Sequence, residues 1–306
     1  MQKPTVILNV AEESPFQSHS WYFGDFPTGS EWQIQRFFKA YQGWNENMGF
    51  LKRVIDDIRL YYRFSCRRLG VPGYQVHQIY LPEQELIYIP IPKNACTSIK
   101  HALHEIEFDR RFDAGLPAFS DYREHHDYYK KRPAAFTSVS ALKEQKDSTR
   151  FALVRDPVRR LISCYRNRVV DLGDLWSSRK VLERSDLPTE PGINTFIMNL
   201  EEYRRVNKSI EHHSRLQSEF LGGTLAYLDR VFTMRDIPEL LEMLRTYKPG
   251  LKLRQRKTGG TKITLADLSG KALRHAIDFY SADYELLNRY FSPQEIVGEH
   301  RKTKRR

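Results

Sequence analysis

Two stretches of the 306-residue sequence repeat one local pattern, and together they restrict what this chain can become. The first is LIYIPIPKNACTSIKHALHEI, Leu86 to Ile106. Leu86 to Ile91 are apolar or aromatic without alternation, which describes a strand covered on both faces. Pro92 breaks the run, Lys93 to Thr97 form a short polar turn, and Ile99, Ala102, Leu103 and Ile106 then return at helical spacing. Lys100, His101 and His104 need not enter the core. A strand, tight loop and helix in this order direct free loop amides toward the positive end of the helix. With an ammonium and two hydroxyls beside them, these amides suit a phosphate or sulfate dianion.

The second stretch, FALVRDPVRRLISCYRNRV, covers Phe151 to Val169. A short apolar strand ends at Arg155, Asp156 can cap, Pro157 takes an early helical position, and Val158, Leu161, Ile162, Tyr165 and Val169 mark a buried face. Arg159, Ser163 and Arg166 share another face. An arginine at a strand end, with a serine in the following helix, would grip a second phosphate through charge and hydroxyl together.

A Walker loop needs an early glycine and Lys-Ser/Thr at its end, whereas here the lysine comes first and no glycine is present. Cys96 is not framed as a phosphatase nucleophile, because no arginine closes the turn after it. PKNACTSIK instead resembles the phosphosulfate-binding loop of PAPS-dependent sulfotransferases, particularly the carbohydrate sulfotransferases (sulfotransferase family 2) with their P-K-x-x-C-T-x-x-K pattern. R-D-P-x-x-R-x-x-S-x-Y is similar to the 3'-phosphate-binding element of the same family. FYSADYELLNRYF, Phe279 to Phe291, resembles its terminal Y-x-x-D-Y-x-L-x-x-Y pattern and suggests packing on the core. His213 to Gln217 resembles its H-W-x-P-Q element, with Ser214 replacing tryptophan and Leu216 replacing proline; at helical spacing the two residues would share one face.

The resemblance implies an α/β fold, a P-loop-like central parallel sheet flanked by helices, with 3'-phosphoadenosine-5'-phosphosulfate (PAPS) as donor and no metal required. It implies that Lys93, Asn94, Ala95, Cys96, Thr97 and Ser98 bind the phosphosulfate, and that Arg155 and Ser163 hold the 3'-phosphate. Lys93 would stabilise the leaving group, and the acceptor would be a hydroxyl, on a carbohydrate or glycan in the first instance. Proton removal from that hydroxyl calls for a base, and a neutral imidazole suits the task near neutrality. The charged, aromatic segment from Arg110 to Arg132 supplies His125 and His126, with His126 the preferred catalytic candidate. Adjacent histidines rarely aim at one ion, so a metal site is not expected there.

Lys plus Arg number 49 against 38 Asp plus Glu, a net charge of +11. That favours polyanionic partners without choosing among nucleotide, acidic glycan and nucleic acid. Cys66, Cys96 and Cys164 supply no disulfide framework. No stretch reaches membrane-spanning length and no secretory signal opens the chain, so a complete chain would be cytoplasmic, whereas an excised catalytic domain would belong to the secretory-pathway lumen. Residues 1–75 read as an N-terminal helical attachment, 76–295 as the α/β domain, and 296–306 as a basic tail. Within the domain, Val76 to Tyr80 and Glu85 to Ile91 suggest a hairpin, Leu228 to Met234 a further strand, Ile237 to Leu244 a helix opened by Asp236, and Ala266 to Tyr290 one long terminal helix. Two other functions stay open: a P-loop-like phosphotransferase (kinase) using ATP, and a noncatalytic polyanion- or RNA-binding protein. The first lacks a Walker lysine and a Mg²⁺ ligand set, and the second lacks any recognisable RNA-binding signature, so no stable nucleic-acid partner is expected. Oligomeric state is not legible.

Overall fold

A computed structural model describes residues 75–111, 128–253 and 262–304. Residues 1–74 of the expected N-terminal attachment, the pair His125 and His126, and the basic stretch 254–261 lie outside the described residues.

The chain runs through β1 (Gln75–His77), β2 (Ile79–Leu81), β3 (Leu86–Ile89), α1 (Cys96–Phe108), β4 (Phe136–Ser138), β5 (Thr149–Val154) and α2 (Pro157–Cys164), followed by a π-helical segment Tyr165–Asp171. After three short helices between Arg179 and Val206 come α3 (Lys208–Ser214), α4 (Gln217–Phe220), β6 (Arg230–Thr233), α5 (Ile237–Tyr247), α6 (Gly270–Phe279), α7 (Ser281–Leu286) and α8 (Pro293–Lys304). Four strands form the central sheet in the order β2-β3-β5-β6. The expected hairpin is present as antiparallel β2 and β3, and β3, β5 and β6 are parallel. β1 leaves this sheet to pair with β4.

β3 is buried along its whole length. Leu86 and Tyr88 enter the cluster that contains Ile99, Leu103, Leu240 and Leu244, while Ile87 and Ile89 enter the opposite one with Leu142, Tyr227 and Leu287. β5 divides in the same way, Phe151 and Leu153 against Ala152 and Val154. Period-two alternation therefore feeds two apolar layers, which is why the sequence shows none. Tyr88 stacks on Phe151 at 5.0 Å, and Phe151 meets Phe232 edge-on at 6.3 Å, an aromatic row across the three parallel strands. A third cluster joins α2 to α6 and the helices around Phe196 and Tyr203.

The differences from expectation have local causes. β3 stops at Ile89, because Pro90 has no amide for the ladder. Lys100 and His104, which need not have entered the core, are buried; Tyr129 donates a 3.1 Å hydrogen bond to the Lys100 carbonyl, and Tyr128 covers His104 edge-on at 5.9 Å. Asp236 begins α5 without capping it; its carboxylate accepts from the amide and hydroxyl of Thr233, both at 2.8 Å. The long terminal helix is broken, because the Ser269 hydroxyl accepts from the Ala272 amide and starts α6, and Tyr280 then divides α6 from α7. The stretch read as a basic tail is mostly α8, which buries Ile296 and sets the His300 ring 2.8 Å from the Leu268 carbonyl.

Candidate functional site

The two sequence units become neighbours because β3 and β5 are adjacent and parallel. Both deliver their loops to the carboxyl edge of the sheet, where open α/β folds bind ligands. The loop after β3 carries two non-glycine residues at positive φ, Lys93 at 71° and Ala95 at 52°. A side chain in that region costs of order 1 kcal/mol or more, so the surroundings must hold the loop in place. Asn94, between them and fully buried, does so: its amide nitrogen donates to the Leu153 carbonyl at 2.9 Å and to Oε1 of Gln217 at 2.7 Å. Ala95 then enters α1 without a side-chain cap, and Cys96, Thr97 and Ser98 make up the half-buried first turn. The amides of such a turn are those a helix cannot satisfy internally, and they favour an anion.

Asp156 caps α2 as expected, its Oδ1 accepting from the Arg159 amide at 2.9 Å, with Pro157 in the first turn. Arg155, one residue earlier, reaches the first loop and donates from Nη1 to the Lys93 carbonyl at 3.2 Å. Burial, followed by the Arg159 charge, lowers the Arg155 guanidinium to about 10 against the opposing charge of Asp156, so it remains cationic at neutral pH. Ser163 lies half-buried near the end of α2.

Several contributors carry no strong sequence signal. The π-helical segment places Asn167, whose Oδ1 accepts from the Lys93 ammonium, and Arg168, whose Nη2 lies 2.7 Å from Nε2 of His213. Widened turns of this kind recur at functional sites. Nδ1 of His213 lies 2.8 Å from the Ser209 carbonyl, so the hydrogen belongs on Nδ1 and Nε2 accepts from Arg168. Burial, then Arg168 and Lys93, holds this imidazole neutral, far below the ordinary histidine range. His212 meets it edge-on at 5.0 Å. The structure thus brings Lys93, the first turn of α1, Arg155, Arg168 and His213 to one edge of the sheet.

His213 and Gln217 do not share a helix. α3 ends at Ser214, Arg215 and Leu216 are extended, and Gln217 opens α4. Gln217 is fully buried; its Nε2 donates to the Arg155 carbonyl at 2.7 Å, and its Oε1 accepts from the Arg155 amide at 3.1 Å as well as from Asn94. The terminal aromatic pattern also does more than pack. Asp283 accepts from the amides of Gln217 and Ser218, both at 2.8 Å, and Tyr284 donates to Asp156 at 3.0 Å. Among the described residues, no group of His, Cys, Asp and Glu side chains is arranged to hold a metal ion.

A family model described as "Sulfotransferase family" matches residues 76–291. Human carbohydrate sulfotransferase 8 (Homo sapiens) is 25% identical over 267 residues, covering 78% of this chain and 61% of that protein. The chain therefore spans about 61% of the length of this curated relative. No solved structure matches.

Proposed function

The chain belongs to the sulfotransferase family, and from that membership we propose that it transfers the sulfuryl group of PAPS to a hydroxyl of a carbohydrate or glycan. The observation that carries this reading is the contact between Arg155 and the Lys93 carbonyl, which sets a cation for one phosphate beside a loop built for another anion. The residues fit such a donor: a cationic Arg155 against the Lys93 loop, a loop held at positive φ, and an uncapped helix start. The similarity to a carbohydrate sulfotransferase supports the acceptor class.

The donor supplies the activated sulfuryl group. Lys93 and the amides of Asn94 to Ser98 stabilise negative charge on the oxygen that departs from sulfur, and Arg155 with Ser163 holds the 3'-phosphate away from the reacting centre. A new bond forms between acceptor oxygen and sulfur as the bond from sulfur to the 5'-phosphate oxygen breaks. The acceptor proton passes to a base, for which His126, then His125, is the candidate. Lysine, arginine and aligned amides carry the charge, so the reaction calls for no metal. A glycan acceptor favours the secretory-pathway lumen, and the cytoplasmic alternative gains no support. Among the described residues, no helix is long and apolar enough to cross a membrane.

Titration calorimetry tests the donor assignment. Adenosine 3',5'-bisphosphate should bind more tightly than 5'-AMP or ATP, and Arg155→Ala should remove about 1.5 to 3 kcal/mol of that preference. Equal affinity for all three nucleotides would overturn the assignment.

A further inference from the structure

Gln217 is anchored more heavily than a core side chain requires. Upstream, the fully buried Arg160 donates to the carbonyls of His213 at 3.1 Å and Ser214 at 3.5 Å and also reaches that of Arg215, fixing the end of α3 and the extended turn. Downstream, Asp283 receives the amides of Gln217 and Ser218. Leu216 is itself buried. With the backbone held on both sides, the Gln217 amide touches one residue from each anion-binding loop: Asn94 through Oε1, and Arg155 through both its main-chain groups. Asn94 lies 123 residues away and Arg155 62.

We propose that Gln217 is a positioning residue that fixes the spacing between the Lys93 loop and Arg155, so that one ligand can be held at both phosphates at once. This role rests on the sulfotransferase reading. A buried amide satisfied on both heteroatoms adds little net stability over an apolar side chain of similar shape, but it fixes a single geometry. Two anion sites linked through one ligand gain affinity only when their separation matches that ligand, and the gain vanishes when the separation drifts. Gln217 touches the Asn94 side chain and the Arg155 backbone, not the charged ends that meet the ligand, so its influence falls on the distance between the two ends rather than on either grip.

The experiment compares 5'-AMP, adenosine 3'-phosphate and adenosine 3',5'-bisphosphate by calorimetry on the full chain, with wild type, Gln217→Met and Gln217→Leu, each checked for cooperative melting. Gln217→Met should leave both monophosphates within about twofold of wild type while the advantage of the bisphosphate shrinks by about tenfold or more. Gln217→Leu, which removes the same link with a branched apolar side chain, should show the same selective loss. A full bisphosphate advantage in Gln217→Met, or equal losses for all three nucleotides, would overturn the role. So would failure of both variants to fold, since Gln217 would then be plain core structure. A wild-type chain with no bisphosphate advantage would instead refute the sulfotransferase reading, a separate result.

Discussion

The Tyr284 hydroxyl donates a 3.0 Å hydrogen bond to Oδ2 of Asp156, a residue 128 positions earlier in the chain. The other oxygen of that carboxylate caps α2, so one buried acid ties the helix beside Arg155 to α7. Burial pushes the tyrosine hydroxyl far above its ordinary range, and it stays a donor at every working pH.

Tyr284→Phe should therefore lower folding stability by about 1 to 3 kcal/mol, because the ring is kept and one buried carboxylate oxygen loses its donor. Urea unfolding measures this directly. An unchanged midpoint would mean that water replaces the hydroxyl and that the bond does not position α2.

Acid should destabilise the fold most through three of the four histidines that burial holds below their ordinary range. Burial, then neighbouring cations, lowers His77 to about 3 and His212 to about 4, and holds His213 lower still. Lys100, Lys130 and His212 face His77; Lys130, Arg215 and Arg168 face His212, with Glu211 opposing; Arg168, Lys93 and His212 face His213. The native rings are neutral while the unfolded ones bind protons below pH 6.5, so this stability is complete above that value and declines as the pH falls. Asp156 and Asp283, whose carboxyls burial pushes up, oppose the trend in more acid solution. Unfolding midpoints between about pH 7.5 and about pH 5.5 should fall, and less steeply in His212→Asn. Equal slopes in the two proteins would remove His212 from the effect.

The strands before the two loops are legible because an uninterrupted apolar run has few other meanings, and the cap at Asp156 is a local signal. What escaped was long-range. Nothing near Gln217 in sequence announces Asn94 or Arg155, and a helical spacing from His213 misled because the chain turns extended at Arg215 and Leu216. Tyr284 reads as a packing residue, and nothing marks Asp283, since a partner brought close only by folding leaves no periodic trace. The burial of Lys100 leaves no local trace, because Tyr129, which bonds its carbonyl, arrives from another segment.

The proposed base lies in the charged segment between the two strand-loop-helix units. His126→Ala should lower single-turnover rates by about 10²- to 10⁴-fold with donor affinity near its starting value, and His125→Ala should do less. Near-normal rates in both variants and in the double substitution would exclude the pair. His213, beside Lys93, would then be the next candidate, although Arg168 engages its Nε2.

The most direct measurement is single-turnover transfer of labelled sulfate from PAPS to a panel of glycan acceptors, with ATP as a control donor, in wild type and Lys93→Met. Wild type should sulfate a glycan hydroxyl and transfer no phosphate from ATP. Lys93→Met, folded and melting normally, should lose about 10²- to 10³-fold in rate while donor affinity changes less, because the charge it faces grows as the bond from sulfur to the leaving oxygen breaks. Label that stays on the donor with every acceptor, in protein that binds adenosine 3',5'-bisphosphate, would contradict the account, as would phosphate transfer from ATP.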